Sequence, residues 1–361
     1  MATATDVNRE WAKRPDDERF LSLCDLYDFC EASRQQSRAL VVSSRSLTCA
    51  VDSSDVMGGL VVQGQNGVAY EPTNWAFGQL ATLSGAPAAY LRKLPAPLVA
   101  DNLNWSLSHE RDVEDVGLLL RKNGKSIFAA ATGPNYGRIW NADIANALLQ
   151  RFGDGITGAW KVPGEFGRSV PVTKANTTIY ASDRDMFVFL ADEERRIEIP
   201  NRRDGKSGSL ARGFYVKNSE VGAAKLTLAM YLFDYACCNR ILWGVEQSLE
   251  VSIRHSKGAP DRFLEEVQPV LEQLQHAAPG PIVQAIEDAR AHKVDDMMKF
   301  LGERFGAKLA ASSINAFTLD EGRKPDTRWD AATAVTAYAR GLPHQDVRVT
   351  LEREAGKLLT L

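Results

Sequence analysis

Thr177-Thr178-Ile179-Tyr180-Ala181-Ser182-Asp183-Arg184-Asp185-Met186-Phe187-Val188-Phe189-Leu190 is the stretch on which the fold turns. β-Branched and aromatic residues flank a polar four-residue centre, the composition of two strands joined by a tight turn. Downstream, residues 212–216 and 225–230 read as further strands, with a helix over 231–238 and another strand over 245–253. Upstream, residues 39–42 and 47–51 read as strands, preceded by a helical pattern of Phe20, Leu23, Cys24, Tyr27 and Cys30 at spacings of three or four. Two Asn-Gly pairs, Asn66-Gly67 and Asn123-Gly124, sit between apolar runs and predict hairpins, because this pair accepts positive φ. Helices are expected over 73–85, 87–94, 97–108 and 141–152.

Beyond residue 260 the apolar spacing is helical, over 261–276, 281–305 and 329–340. The expected class is α+β: antiparallel sheets with packed helices in the N-terminal and central regions, then a mostly helical C-terminal region. Glycine and proline cluster between Gly153 and Pro171 and suggest the first boundary. The expected regions are 1–155, a β-rich core with a basic loop over 156–260, and a helical region over 261–361.

Of 361 residues, 44% are hydrophobic and 25% charged, enough for a sizeable core and against global disorder. No apolar run reaches about 18 residues, so no membrane-spanning helix is expected. The opening Met1-Ala2-Thr3-Ala4-Thr5-Asp6 lacks the basic-then-apolar build of a signal peptide, and a cytoplasmic protein is expected. The net charge of −3 gives no global attraction to nucleic acid, so any such contact needs a local basic patch. The five cysteines, Cys24, Cys30, Cys49, Cys237 and Cys238, lack C-x-x-C spacing and read as reduced thiols.

Several motifs fail. Gly124-Lys125-Ser126 and Gly205-Lys206-Ser207 lack the upstream glycine of a phosphate loop, holding Leu119 and Pro200 there. No dinucleotide fingerprint is present, and the five histidines show no metal spacing. No cofactor or metal is expected. Residues 79–91, with Ala81, Gly85 and Leu91, look like a helix-turn-helix, but the second helix offers few base-reading groups beyond Arg92 and Lys93.

The stronger signal is a basic stretch. Arg195, Arg196, Arg202, Arg203, Lys206, Arg212, Lys217 and Lys225 are opposed by Glu198, Asp204 and Glu220, a local balance of +5. Residues 201–209 read as a flexible phosphate-contacting loop. Tyr180, Phe187, Phe189, Phe214 and Tyr215 are interleaved, and aromatic faces beside cations suit single-stranded bases. Arg254 and His255 are neighbours on a strand and face opposite sides, leaving Arg254 as a further phosphate candidate.

Ser182-Asp183-Arg184-Asp185, Arg212-Gly213-Phe214, Asn218-Ser219-Glu220-Val221-Gly222, Cys237-Cys238-Asn239 and Arg254-His255-Ser256 follow one another in an order that resembles a known family. It is the phage- and plasmid-borne group of domain of unknown function 932. Upstream, Ala76-Phe77-Gly78-Gln79-Leu80, Gly85-Ala86-Pro87 and Tyr90-Leu91 resemble its N-terminal half, so the likeness spans roughly residues 60–260. The family often has glycine after the asparagine of Cys-x-Asn. Here Arg240 stands there, and a different turn is expected. The resemblance implies a mobile-element origin and no defined activity. The residues themselves read as turn formers (Asn218, Ser219, Asn239), strand bends (Gly213, Gly222) and a small buried hydrophobe (Cys237).

Three functions are weighed. The first is a nucleic-acid-binding protein of a phage or plasmid in the bacterial cytoplasm, acting on single-stranded DNA in annealing or recombination, and assembling as a homo-oligomer. Its contacts would be Arg195, Arg196, Arg202, Arg203, Lys206, Arg212, Lys217 and Arg254. The second is a non-catalytic host-interaction or anti-restriction protein whose Asp16, Asp17, Glu18, Asp25, Asp28 and Glu31 mimic DNA charge. The third is a metal-dependent nuclease using Asp183, Asp185, Glu220 and His255.

Overall fold

The computed structural model describes residues 14–52, 59–64, 67–109, 115–163, 171–203, 206–234, 239–242, 250–276, 280–343 and 345–361. A short strand, β1 (Arg19–Phe20), leads to helix α1 (Leu23–Gln35), where the Ser22 hydroxyl accepts the Asp25 N–H at 3.0 Å as N-cap. Strands β2 (Ser37–Ser43), β3 (Thr48–Val51), β4 (Leu60–Gln63) and β5 (Ala69–Pro72) follow, then helices α2 (Asn74–Leu83), α3 (Ala88–Leu91) and α4 (Ala96–His109). The hairpin of β6 (Asp115–Asn123) and β7 (Lys125–Thr132), turning at Gly124 with φ +65°, completes a six-stranded sheet. Its order is β2-β6-β7-β5-β4-β3, antiparallel except for the parallel β5–β7 pair.

Helix α5 (Asn141–Phe152) then passes the chain to β8 (Trp160–Lys161), β9 (Ile179–Ala181), β10 (Met186–Arg203), β11 (Lys206–Asn218), β12 (Leu226–Asp234), β13 (Asn239–Leu242) and β14 (Glu250–Ile253). With β1 they form an eight-stranded antiparallel sheet ordered β1-β9-β10-β11-β12-β13, with β8 on β10 and β14 on β12. The remainder is helical: α6 (Ala259–His276), α7 (Gly280–Ala291), α8 (Met297–Phe305), α9 (Ala307–Glu321), α10 (Arg328–Arg340) and α11 (Gln345–Lys357). The class is α+β, as the periodicities predict. Among the described residues, no helix is long and apolar enough to cross a membrane.

One core joins distant parts of the chain. Leu23 and Leu26 of α1, Ile144 and Leu148 of α5, Phe214 of β11 and Phe263 of α6 belong to it. The expected region 1–155 is therefore divided between the sheets, since β1, α1 and α5 serve the eight-stranded sheet while residues 37–132 build the other. The C-terminal helices share this same core, so 261–361 does not pack independently.

Local readings are corrected in four places. Residues 231–234 continue β12 instead of starting a helix, because all nine of its residues are buried and alternation is lost. Residues 201–203 and 206–209 are paired strand instead of loop. Residues 281–305 hold two helices, separated where the Asp296 carboxylate caps α8 by accepting the Lys299 N–H at 2.9 Å. In the helix-turn-helix look-alike, α3 is a single turn of four residues, too short to be a recognition helix.

Candidate functional site

Three of the resemblance motifs, at 182–185, 218–222 and 254–256, meet at the joint between the two sheets, together with Gln79 from the upstream stretch. Leu119, Ala129 and Ala130 on the outer face of β6–β7 close over fully buried Val221. The Val221 carbonyl accepts two side-chain bonds from α2: Trp75 Nε1–H at 3.0 Å and Gln79 Nε2–H at 2.8 Å. Gln79 Oε1 in turn accepts the Ala131 N–H at 3.0 Å, which ties the helix to both partners. Gly222 lets the chain leave this wedge with φ +86°, a conformation that side chains rarely tolerate.

Asn218 and Ser219 fix the approach to the wedge through distant partners. Buried Asn218 donates to the Ile139 carbonyl at 3.0 Å and to Asn141 Oδ1 at 2.8 Å. Ser219 Oγ donates to the Arg184 carbonyl at 2.6 Å, and the Ser219 carbonyl accepts the Tyr136 hydroxyl at 2.7 Å. Glu220 is the electrostatic centre. Its Oε1 accepts the Asn141 N–H at 2.8 Å, at the positive N-terminal end of α5. Its Oε2 pairs with Arg121 of β6, and its carbonyl accepts a bond from Arg138. A charge this deep requires such partners.

Of the partner residues, Gln79 falls within the resemblance stretch 76–80, whereas Trp75, Arg121, Tyr136 and Arg138 belong to no motif read from the sequence. They carry no local signal, because each acts across 80 or more positions of chain. A clue was available in the run Tyr136-Gly137-Arg138, an aromatic, a glycine and a cation beside a helix start. Gly137 is required by packing: a Cβ there would lie 1.8 Å from the Ser256 carbonyl oxygen.

His255 lies against this segment, buried, with its ring stacked on Tyr136 at 4.9 Å between centroids. Burial pushes its pKa down to about 4, the Gly137 contact opposing. The neutral ring donates from Nδ1 to the Gly137 carbonyl at 3.1 Å. Arg254 is exposed, but β14 ends at Ile253, so Arg254 and His255 follow the strand instead of alternating on it. Because the unfolded chain binds the His255 proton from about pH 6.5 downward and the fold resists it until about pH 4, stability should fall by up to about 3 kcal/mol across that window. Urea unfolding at pH 4 to 7 should show a shallower pH slope for His255→Gln; equal slopes would reject the assignment.

The metal-centre reading is not supported by the geometry. Asp185 is buried and pairs with Arg14 at 2.9 Å, Glu220 is committed to Arg121 and α5, and His255 to Gly137. Among the described residues, no group of three or more His, Cys, Asp or Glu could hold a metal ion. The turn at 182–185 is held by the Ser182 hydroxyl, which accepts the N–H of Arg184 and of Asp185 at 3.2 Å each. Nearby, burial first and then Asp183, Asp17 and Asp185 raise Glu18 to about 7, with Arg14 opposing.

The basic stretch divides into a base and a tip. Strands β10 and β11 run past the last residue paired to β12, Leu210 opposite Asp234, and continue as a two-stranded ribbon to the pair Arg203–Lys206. At its base β10 bulges between Ala191 and Arg196. Asp192 Oδ1 holds the bulge by accepting the N–H of Glu194 and Arg195 at 3.1 Å each, and the buried Arg212 guanidinium pairs with Asp192 at 3.5 Å. Arg196 bonds the Glu193 carbonyl at 3.2 Å, and Arg195 bonds the Gln275 carbonyl at the end of α6 at 3.0 Å. Arg212 is thus a structural cation that aims the ribbon, not a surface contact. Arg202, Arg203 and Lys206 occupy the tip.

Lys217 and Arg254 lie elsewhere. Lys217 is opposite Thr227 and sits over the Phe187 ring at 4.9 Å. Arg254 follows Ile253, opposite Leu226, so both stand at the end of the sheet away from the ribbon. From Thr227 to Asp234 along β12 is roughly 24 Å, too far for one compact patch. The aromatic platform is also absent. Phe187, Phe189 and Tyr215 form a buried cluster with Val349 of α11, where Arg353 donates to the Tyr215 hydroxyl at 2.8 Å; Phe214 lies in the main core and Tyr180 is half-buried. Cys237 lies outside the described residues. Asn239 and Arg240 pair with Asp234 and Phe233, so the chain is extended at Arg240 and needs no glycine turn there.

No family model matches the chain, and neither the curated proteins nor the solved structures include a match to it.

Proposed function

We propose that this chain is a nucleic-acid-binding protein of a phage or plasmid, acting in the cytoplasm of the host cell, that contacts phosphates with the tip of its β10–β11 ribbon. The observation that carries this reading is the separation of roles within the basic stretch. Arg195, Arg196 and Arg212 are bound to protein groups at the base, whereas Arg202, Arg203 and Lys206 stand beyond the last three-stranded pairing. A two-stranded ribbon fits the major groove of a duplex and can equally follow a single backbone. With Phe187, Phe189 and Tyr215 buried, the affinity comes from charge on phosphates rather than from base stacking. The mobile-element origin rests on the resemblance of the motifs at 182–185, 218–222 and 254–256.

Photo-crosslinking the full chain to labelled single- and double-stranded oligonucleotides tests the placement. The crosslinked peptide should cover residues 196–209 with either substrate. Crosslinks confined to α2–α4, or to the Lys217 and Arg254 end of the sheet, would move the interface away from the ribbon.

A further inference from the structure

The six-stranded sheet carries a feature that the nucleic-acid reading does not use. Its inner face lines a half-open cavity of about 270 Å³. The walls are mostly apolar, with Leu40 and Val42 of β2, Leu118 and Leu120 of β6 and Phe128 of β7, and they also carry the polar side chains of Ser46 and Gln63. Strand alternation puts Arg38 on the same inner face as Leu40 and Val42, at the mouth of the cavity. Lys122 follows Leu120 on that face of β6, one step beyond the residue opposite Arg38. Both cations are exposed, and among the described residues neither has an ion-pair partner. By contrast Arg121, on the outer face, is committed to Glu220, and Lys125 pairs with Glu71.

A mostly apolar chamber lined by the unpaired Arg38, with Lys122 next beyond Leu120 on the same face, is complementary to a molecule with an apolar body and a negative head. We infer that the N-terminal sheet binds a small single-chain amphiphile with an anionic head group, its tail among Leu40, Leu118 and Phe128 and its head against Arg38 and Lys122. Burying the tail supplies the affinity and the cations choose the head group. The site is independent of the ribbon, so either proposal can fail alone.

Isothermal titration of the full chain with decanoate and, as a neutral counterpart, decanol tests this below their aggregation limits. Decanoate should bind once per chain and more tightly than decanol. Arg38→Ala with Lys122→Ala, both surface changes, should weaken decanoate at least tenfold and leave decanol unchanged. Leu40→Phe, which fills the chamber from a half-buried position, should abolish both. No saturable binding of decanoate, or equal affinity in the double-alanine variant, would overturn the proposal.

Discussion

Glu220→Ala is expected to destabilise the fold by about 3–5 kcal/mol, the usual cost of removing one partner from a buried ion pair. The loss is large because one carboxylate serves three elements. It neutralises Arg121 of β6, accepts the first N–H of α5, and sits in the loop whose Val221 seals the joint. Without it, among the described residues, the Arg121 guanidinium keeps the Ser37 hydroxyl at 3.3 Å as a partner in a mostly buried site. Glu220→Gln retains an acceptor for Asn141 and removes only the charge, so its loss should be smaller. Urea unfolding of the two variants checks the order. A loss below about 1 kcal/mol for the alanine change would mean that apolar contacts around Val221 hold the joint alone.

Neutralising the ribbon tip should have the largest effect on binding. The triple change Arg202→Ala, Arg203→Ala and Lys206→Ala removes three cations from residues that lie beyond the β12 pairing. Each phosphate contact contributes about 0.9 to the slope of log K against log salt on a duplex, so the slope should become shallower by about 2 to 3. Affinity at low salt should drop at least tenfold, and a cooperative urea transition checks that the variant still folds. Arg202→Lys with Arg203→Lys keeps the charge and should preserve the slope. Unchanged affinity in a folded triple-alanine variant would place the contact elsewhere.

Much of the fold was legible wherever local chemistry and burial agree. Helix α5 runs over Asn141–Phe152 as its apolar period predicts, and the hairpin at Gly124 falls on an Asn-Gly pair. Legibility failed where an element has no half-buried face. Strand β12 is buried on both sides, so Tyr231 and Phe233 show no period to separate strand from helix. The ribbon has the opposite problem: the stretch 201–209 carries little apolar pattern in its sequence. Helix α11 was missed because Arg348 and Glu352 pair with each other in the interior at 2.8 Å, which places charges at inward positions.

The site was legible in part. Asn218 and Ser219 read as turn formers and Gly222 as a strand bend, and they do fix the wedge, but the partners of this segment come from residues 136–141, 184 and α2. No spacing rule announces such long-range bonds. Sequence charge likewise could not separate Arg212, which locks a bulge, from Arg202 and Arg203 nine or ten positions earlier. That distinction depends on the register of β10 against β11.

The most direct measurement is fluorescence anisotropy of a labelled duplex and its single strand against the full-length protein across a salt titration. Tight binding at low salt that weakens steeply as salt rises, with the slope set by the tip cations, is the predicted result. No binding to either substrate at low salt, or binding insensitive to salt, would contradict a phosphate-contacting ribbon.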